Sequence, residues 1–193
     1  MAKIGLSKPY FAKYSASGTT VTYSDGGLIG KYTEMSIEVE SSDANILYAD
    51  NAAAESDKSF AGGTFNITTD NLDATTMKTI LGLATEAIGV GGTDSWQVFD
   101  DTQAIPYLGV GGIIKKKVNG VDKYVAFILD KVQFDIPSIA AVTQGESIDW
   151  QTQELSATIM RSDASNHPWY RISTEFADED DAANAIETFL SIT

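Results

Sequence analysis

The chain has 193 residues, with 27 acidic against 13 basic side chains, a formal net charge of −14 and no cysteine. That length allows one domain with a core of its own. The missing cysteines exclude disulfide staples and thiolate metal sites, and the charge excludes a grip on nucleic acid, which needs clustered Lys and Arg.

Met1 to Tyr10 carries no charged segment followed by an apolar one, so no signal peptide is expected. After it most of the chain repeats with period two. Ser24-Asp25-Gly26-Gly27 separates Val21–Tyr23 from Leu28–Gly30 and reads as a turn between two short strands. From Thr33 to Ser41, Met35, Ile37 and Val39 alternate with Glu34, Ser36, Glu38 and Glu40, which predicts a strand with one face on a core and one in water. Between Ser41 and Gly63 the sequence is rich in Ser, Asp, Asn, Ala and Gly, with a charged tip at Glu55-Ser56-Asp57-Lys58. Loops of that length in compact domains are functional or disordered. This one is expected to be a projecting arm, built as a long hairpin. Phe65, Ile67 and Thr69 then alternate with Thr64, Asn66 and Thr68 as a second half-buried strand.

Met77, Ile80, Leu81 and Ala84 have helical spacing and predict a helix over 72–83, capped by Asp70 or Asn71. Gly-Val-Gly-Gly occurs at Gly89–Gly92 and Gly109–Gly112. Neither copy leads into a Lys-Ser or Lys-Thr helix start, so neither is a phosphate loop. Ile105–Ile114 is nearly apolar but too short to span a bilayer. Asn119-Gly120 supplies the positive φ angles of a two-residue hairpin between Lys115–Val118 and Val121–Leu129. The lysines Lys115, Lys116 and Lys117 before it fit either a protected edge strand or a patch that meets an acidic neighbouring subunit.

From Glu146 to Met160 the apolar positions change phase: Ile148 and Trp150 are even, Leu155, Ala157 and Ile159 odd. A bulge or bend near Gln153–Glu154 is expected. Tyr170, Ile172 and Phe176 alternate with Arg171, Ser173 and Glu175 as a last strand. A C-terminal helix follows from Glu179 to Leu190, with Asp178 as N-cap and Ala182, Ile186, Phe189 and Leu190 as its apolar stripe. The acidic run 178–181 stands where the helix dipole favours negative charge.

Catalytic chemistry has little to work with. His167 is the sole histidine, and no Gly-x-Ser-x-Gly elbow accompanies it. Glu38 and Glu40 lie about 7 Å apart on one strand face, a spacing that suits glycosidase carboxylates but equally a solvated strand. No Asp-x-Asp-x-Asp-Gly calcium loop is present. No enzyme activity, cofactor or metal site is expected.

The opening Ile4-Gly5-Leu6-Ser7-Lys8-Pro9-Tyr10-Phe11-Ala12 resembles the Ile-Gly-Leu-x-x-Pro-x-x-Ala start of major tail proteins from siphophages of Gram-positive bacteria. Further features agree in order: the strand Lys31–Glu40 leading into the small-residue arm, a helix ending Leu81-Gly82-Leu83, Pro106-Tyr107-Leu108-Gly109-Val110-Gly111 before the Asn-Gly hairpin, and Gly145–Gln153 after it.

The resemblance implies a mainly β, tail-tube-like sandwich or barrel over 1–193, with a flanking helix, a projecting arm over 41–63 and a C-terminal helix where relatives carry an Ig-like domain. It implies stacked homohexameric rings that form a non-contractile tail tube, assembled in the host cytoplasm. The partners would be further copies, a tape measure protein, and terminator and tip proteins, with DNA passing without specific binding and no membrane involved. On this expectation Glu34, Glu38 and Glu40 line the lumen. Asp43, Leu47, Tyr48, Glu55, Asp57 and Lys58 make inter-ring contacts, and Lys115, Lys116 and Lys117 meet a neighbouring subunit. Competing readings are a type VI-like secreted tube protein, a carbohydrate-binding sandwich using Tyr10, Tyr14, Trp96 and Trp150 as stacking rings, and an acidic glycosidase.

Overall fold

A computed structural model describes residues 2–42, 45–49, 52–57, 59–88, 95–138 and 152–192. The fold is mainly β, as the alternation predicts: a β-sandwich with flanking helices. β1 (Ala2–Ser17) turns at Gly18 (φ +61°) into β2 (Thr20–Leu28). β3 (Tyr32–Ser41) and β6 (Phe60–Thr69) pair antiparallel, and between them β4 (Asn45–Ala49) and β5 (Ala52–Asp57) pair with each other. α1 (Ala74–Leu81) precedes a short hairpin of β7 (Ala84–Ala87) and β8 (Ser95–Val98). The long hairpin of β9 (Leu108–Val118) and β10 (Val121–Phe134) follows, then β11 (Gln153–Met160), β12 (Tyr170–Ile172) and α2 (Glu179–Phe189).

The main sheet runs β2-β1-β9-β10-β11-β6-β3, with β12 also paired to β10. β10 joins the two layers. Its residues 121–129 and, after a register shift, Val132 pair with β9; on its other side Phe127–Leu129 pair with β12 and Lys131–Phe134 with β11. The first layer is therefore β2, β1, β9, early β10 and β12; the second is late β10, β11, β6 and β3. Between them lies a core containing Phe11, Phe65, Ile67, Val110, Leu129, Phe134 and Leu155, and Ile80 and Leu81 of α1 pack into it.

The outer face of the first layer carries a second cluster, in which Tyr10, Ala12, Ile113, Ala126 and Ile128 meet Ala182, Ala183, Ile186 and Leu190. The second Gly-Val-Gly-Gly motif makes that contact possible. A Cβ at Gly109 would lie 2.9 Å from a Leu190 methyl, and one at Gly111 would lie 2.8 Å from an Ile186 methyl. α2 follows its expected limits, with the Asp178 carboxylate accepting from the amide of Asp180.

Several expectations are corrected. Ser24–Gly27 is no turn; it lies inside β2, where the register shifts between Phe11 and Lys13 and Asp25 has φ +48°. The same residue types serve a bulge here because it too needs positive φ. α1 is shorter than 72–83, and its cap is Asp73 instead of Asp70 or Asn71; the Asp73 carboxylate accepts from the amides of Thr75 and Thr76. Gly82 in the left-handed region (φ +65°) ends it.

β9 is flanked by β1 and β10, so Lys115–Lys117 do not protect a sheet edge. Tyr170 and Ile172 share the inward face of β12, opposite Leu129 and Phe127, though Ile172 is exposed; the chain leaves the ladder after Ile172, so Phe176 does not follow the alternation and joins the cluster under α2. β11 pairs with β6 in unbroken register from Gln153 to Ile159. The predicted bulge therefore does not fall within that ladder, and 146–151 lie outside the described residues.

Candidate functional site

The face expected to matter most is the outer side of the second layer. The alternation in β3 turns Met35 and Ile37 toward the core and leaves Glu34, Glu38 and Glu40 exposed. Their cross-strand partners on β6 are Thr68, Thr64 and Gly62, and beyond these β11 presents Glu154, Ser156 and Thr158. This face is polar except for Met160 at the end of β11, and no described helix covers it, in contrast to the first layer under α2. β3 is also a terminal strand, as is β2 at the other end of the sheet, so each leaves one side of its backbone outside the ladder.

The expected arm is a hairpin where it is described. Leu47 and Tyr48 stand on β4, and Glu55 and Asp57 on β5, with Leu47 opposite Glu55 and Asn45 opposite Asp57. Its stem is closed by the Ser42 amide donating to the Ser59 carbonyl at 2.8 Å and the Ser59 amide donating to Ser42 Oγ at 3.0 Å. Residues 60–63 already belong to the β3–β6 ladder. Asp43 and Lys58 lie outside the described residues.

The three lysines divide between two faces. Lys115 and Lys117 point outward and share one carboxylate, Asp122, at 2.7 and 3.6 Å. That contact holds Asp122 below the usual carboxylate range, chiefly through the hydrogen bond from Lys115. Lys116 stands on the inner face, directly opposite Lys3 of β1 on one side and Lys123 of β10 on the other. Lys3 and Lys123 were not singled out from the sequence. Lys123 could have been, because a two-residue turn at 119–120 fixes the pairing of 116 with 123.

Potential chemistry is sparse. His167 (φ +48°) sits in a tight turn, its Nδ1 donating to the Ser162 carbonyl at 3.0 Å. The neighbouring Asp163 is taken by Lys131 at 2.8 Å and by the Tyr14 hydroxyl at 2.8 Å. Among the described residues no group of three His, Asp or Glu converges in a manner that could hold a metal ion. Tyr10 is 4% exposed and its hydroxyl donates to Glu187, so it offers no stacking surface for a sugar. Trp96 on the β7–β8 hairpin is 61% exposed, and Trp150 lies outside the described residues.

One further feature escaped the sequence. Asp130, its side chain 2% exposed, takes a two-pronged hydrogen bond from Arg171 at 2.8–2.9 Å. The pair floors a cleft of about 430 Å³ lined also by Tyr23, Ser162 and Phe189. Burial pushes the Asp130 carboxyl up, and Arg171 opposes that shift. The Arg171 guanidinium lies over the Phe189 ring at 4.8 Å, so the pair also fastens the end of α2 to β10 and β12. Its two members are 41 residues apart, and no local pattern links them.

Among the described residues no helix is long and apolar enough to cross a membrane. Compared with known proteins, the chain matches no family model and no curated sequence.

Proposed function

We propose that this chain is the tube-forming subunit of a long, non-contractile phage tail, assembling as stacked hexameric rings through which DNA passes. The observation that carries the reading is the outer face of β3, β6 and β11. It is polar but for Met160 at one end, bears Glu34, Glu38, Glu40 and Glu154, and ends on a terminal strand of ten residues with one side of its backbone outside the ladder. A strand edge of that length invites pairing unless it is closed by another chain. Ring closure with identical copies removes the liability for every subunit at once.

Carboxylates lining a passage repel phosphate at close range even where salt screens them beyond about 8 Å, which suits transit without binding. The β4–β5 hairpin between β3 and β6 supplies a segment for contact with the next ring. The ordered resemblance to siphophage major tail proteins agrees with each part. On this reading the protein resides in the virion tail, is assembled in the host cytoplasm, and meets tape measure, terminator and tip proteins.

Negative-stain microscopy of the purified protein at rising concentration tests the proposal. Rings or hollow filaments are expected; particles that stay single at every concentration would overturn it.

A further inference from the structure

We infer that copies of this chain meet head to tail, the lysine-bearing end of the β9–β10 hairpin in one copy seating on the aspartate-bearing loops at the opposite end of the next. The inference rests on the tube-subunit reading and names the two surfaces that would join successive subunits.

The first surface is the row Lys3, Lys116 and Lys123, directly opposite one another on three adjacent strands. Among the described residues none of the three has a carboxylate within ion-pair distance, and on the reverse face Lys115 and Lys117 share only Asp122. Like charges placed directly opposite on a sheet destabilise it. A chain with 27 carboxylates has gathered five of its 13 basic side chains at one end of three strands, with one acid among them. Repulsion of that kind is relieved by an acidic surface brought from outside. Ile4 and Val121, 50% and 57% exposed, stand at the same end and give it apolar character as well.

The second surface is at the far end of the same strands, about 27 Å from Lys116 to Leu108 along β9. There the loop preceding β9 is fixed by Gln133 Nε2 donating to the Ile105 carbonyl and by Gln103 Nε2 donating to the Leu81 carbonyl. Asp100 and Asp101 are exposed on it, and Asp135 is exposed just beyond β10. Thr102 holds Asp100 below the usual carboxylate range, so it stays ionised at neutral pH. Phe99, Tyr107 and Ile136 are 42%, 40% and 59% exposed beside these aspartates. Each end thus offers exposed apolar side chains beside a surplus of one charge: at the first, five lysines have one acid, Asp122, among them, and at the second, Lys13 and Lys131 are already paired with Asp25 and Asp163, which leaves Asp100, Asp101 and Asp135 in excess. Apolar centres supply affinity, and matched charges set partner and register. A contact between unlike ends does not close on itself in pairs; it propagates, as a stack requires.

A charge swap tests the pairing. Lys116→Glu/Lys123→Glu turns the row shared with Lys3 from net positive to net negative, and Asp101→Lys/Asp135→Lys turns the aspartate-bearing loops from net negative to net positive. Each variant alone is expected to remain unstacked in sedimentation velocity at about 0.15 M NaCl, and an equimolar mixture is expected to assemble in alternation. Lys116→Gln separates assembly from folding: relieving the row should raise the melting temperature by about 1–3 °C while weakening assembly. Wild-type-like assembly of the Lys116→Glu/Lys123→Glu variant, or failure of the mixture to assemble, would overturn the pairing while wild-type filaments still upheld the tube reading. A wild type that never assembles would overturn both. Binding of a short DNA duplex that the lysine variant loses would assign the row to nucleic acid and overturn the inference.

Discussion

At Gly111 the absence of a methyl group lets α2 lie on the sheet. A Cβ there would stand 2.8 Å from an Ile186 methyl and 3.1 Å from the Phe127 carbonyl oxygen, and Ile186 is fully buried with nowhere to retreat. Gly111→Ala is therefore expected to cost about 1–3 kcal/mol, the range for overpacking a filled core. Urea denaturation measures that loss, and faster amide exchange confined to α2 would locate it. The Asp130–Arg171 pair makes a second residue-scale prediction, dependent on pH. Arg171→Leu strands a carboxylate that is 2% exposed, at a cost of about 3 kcal/mol near neutral pH. That is the low end of the range, because Arg171 itself is 44% exposed and partly solvated. Without the guanidinium, burial alone acts on Asp130 and raises its pKa in the folded state above the unfolded value. The penalty is then full above the folded pKa and fades as pH falls through it. Urea midpoints of wild type and variant should converge between pH 7 and about pH 4; a gap that stays constant would show that lost packing, and not the stranded charge, is responsible.

At the scale of elements, α1 depends on its cap. The Asp73 carboxylate accepts from two amides and from the Thr76 hydroxyl, and that hydroxyl is the largest cause of its lowered pKa. Asp73→Ala should cost about 1 kcal/mol, and Asp73→Asn much less, since asparagine caps nearly as well. Because the folded pKa is depressed, the cap's contribution is present above the unfolded value of about 3.9 and is lost as pH falls through the folded one. Melting curves of wild type and Asp73→Ala should therefore draw together on acidification. The sequence could name this helix but not its cap, because Asp70, Asn71 and Asp73 all have capping side chains and only the fold selects one. The Asn119-Gly120 hairpin was legible to the residue, since its turn geometry sets the pairing of β9 with β10. Ser24–Gly27 misled because a bulge and a turn demand the same positive φ, and what separates them is the length of the partner strand, β1. The alternation in β3 identified the acidic face. The lysine row needed β1 and β10 beside β9, and the Asp130–Arg171 pair needed β12 beside β10; both depend on pairings between segments far apart in the chain.

On the scale of the whole molecule, the sandwich and the hairpin arm are separable by construction. The β3–β6 ladder runs to Ser41 and Phe60, the Ser42–Ser59 hydrogen bonds close it, and the core residues Phe65 and Ile67 lie well below that point. Replacing 43–58 with an Asn-Gly turn should therefore leave the core intact. Loop-closure entropy changes by only about 0.6 kcal/mol per doubling of loop length, and the shorter connection acts in the stabilising direction. The melting temperature is expected to stay within a few degrees of wild type. Assembly should respond differently: if the arm reaches the next ring, the shortened protein still closes laterally through its terminal strands but no longer extends into tubes. Negative-stain images would then show rings in place of filaments. Filaments of normal length from the shortened chain would leave stacking to the charged ends alone, and loss of both rings and filaments would assign the arm to lateral closure. The acidic face should be indifferent to this change, because none of its carboxylates lies within 43–58. Glu38→Lys/Glu40→Lys is the converse variant: tubes of wild-type appearance whose carboxylate lining is partly reversed, and a measurably slower release of DNA from particles that carry them. Normal tubes with unchanged release would place Glu38 and Glu40 away from the passage.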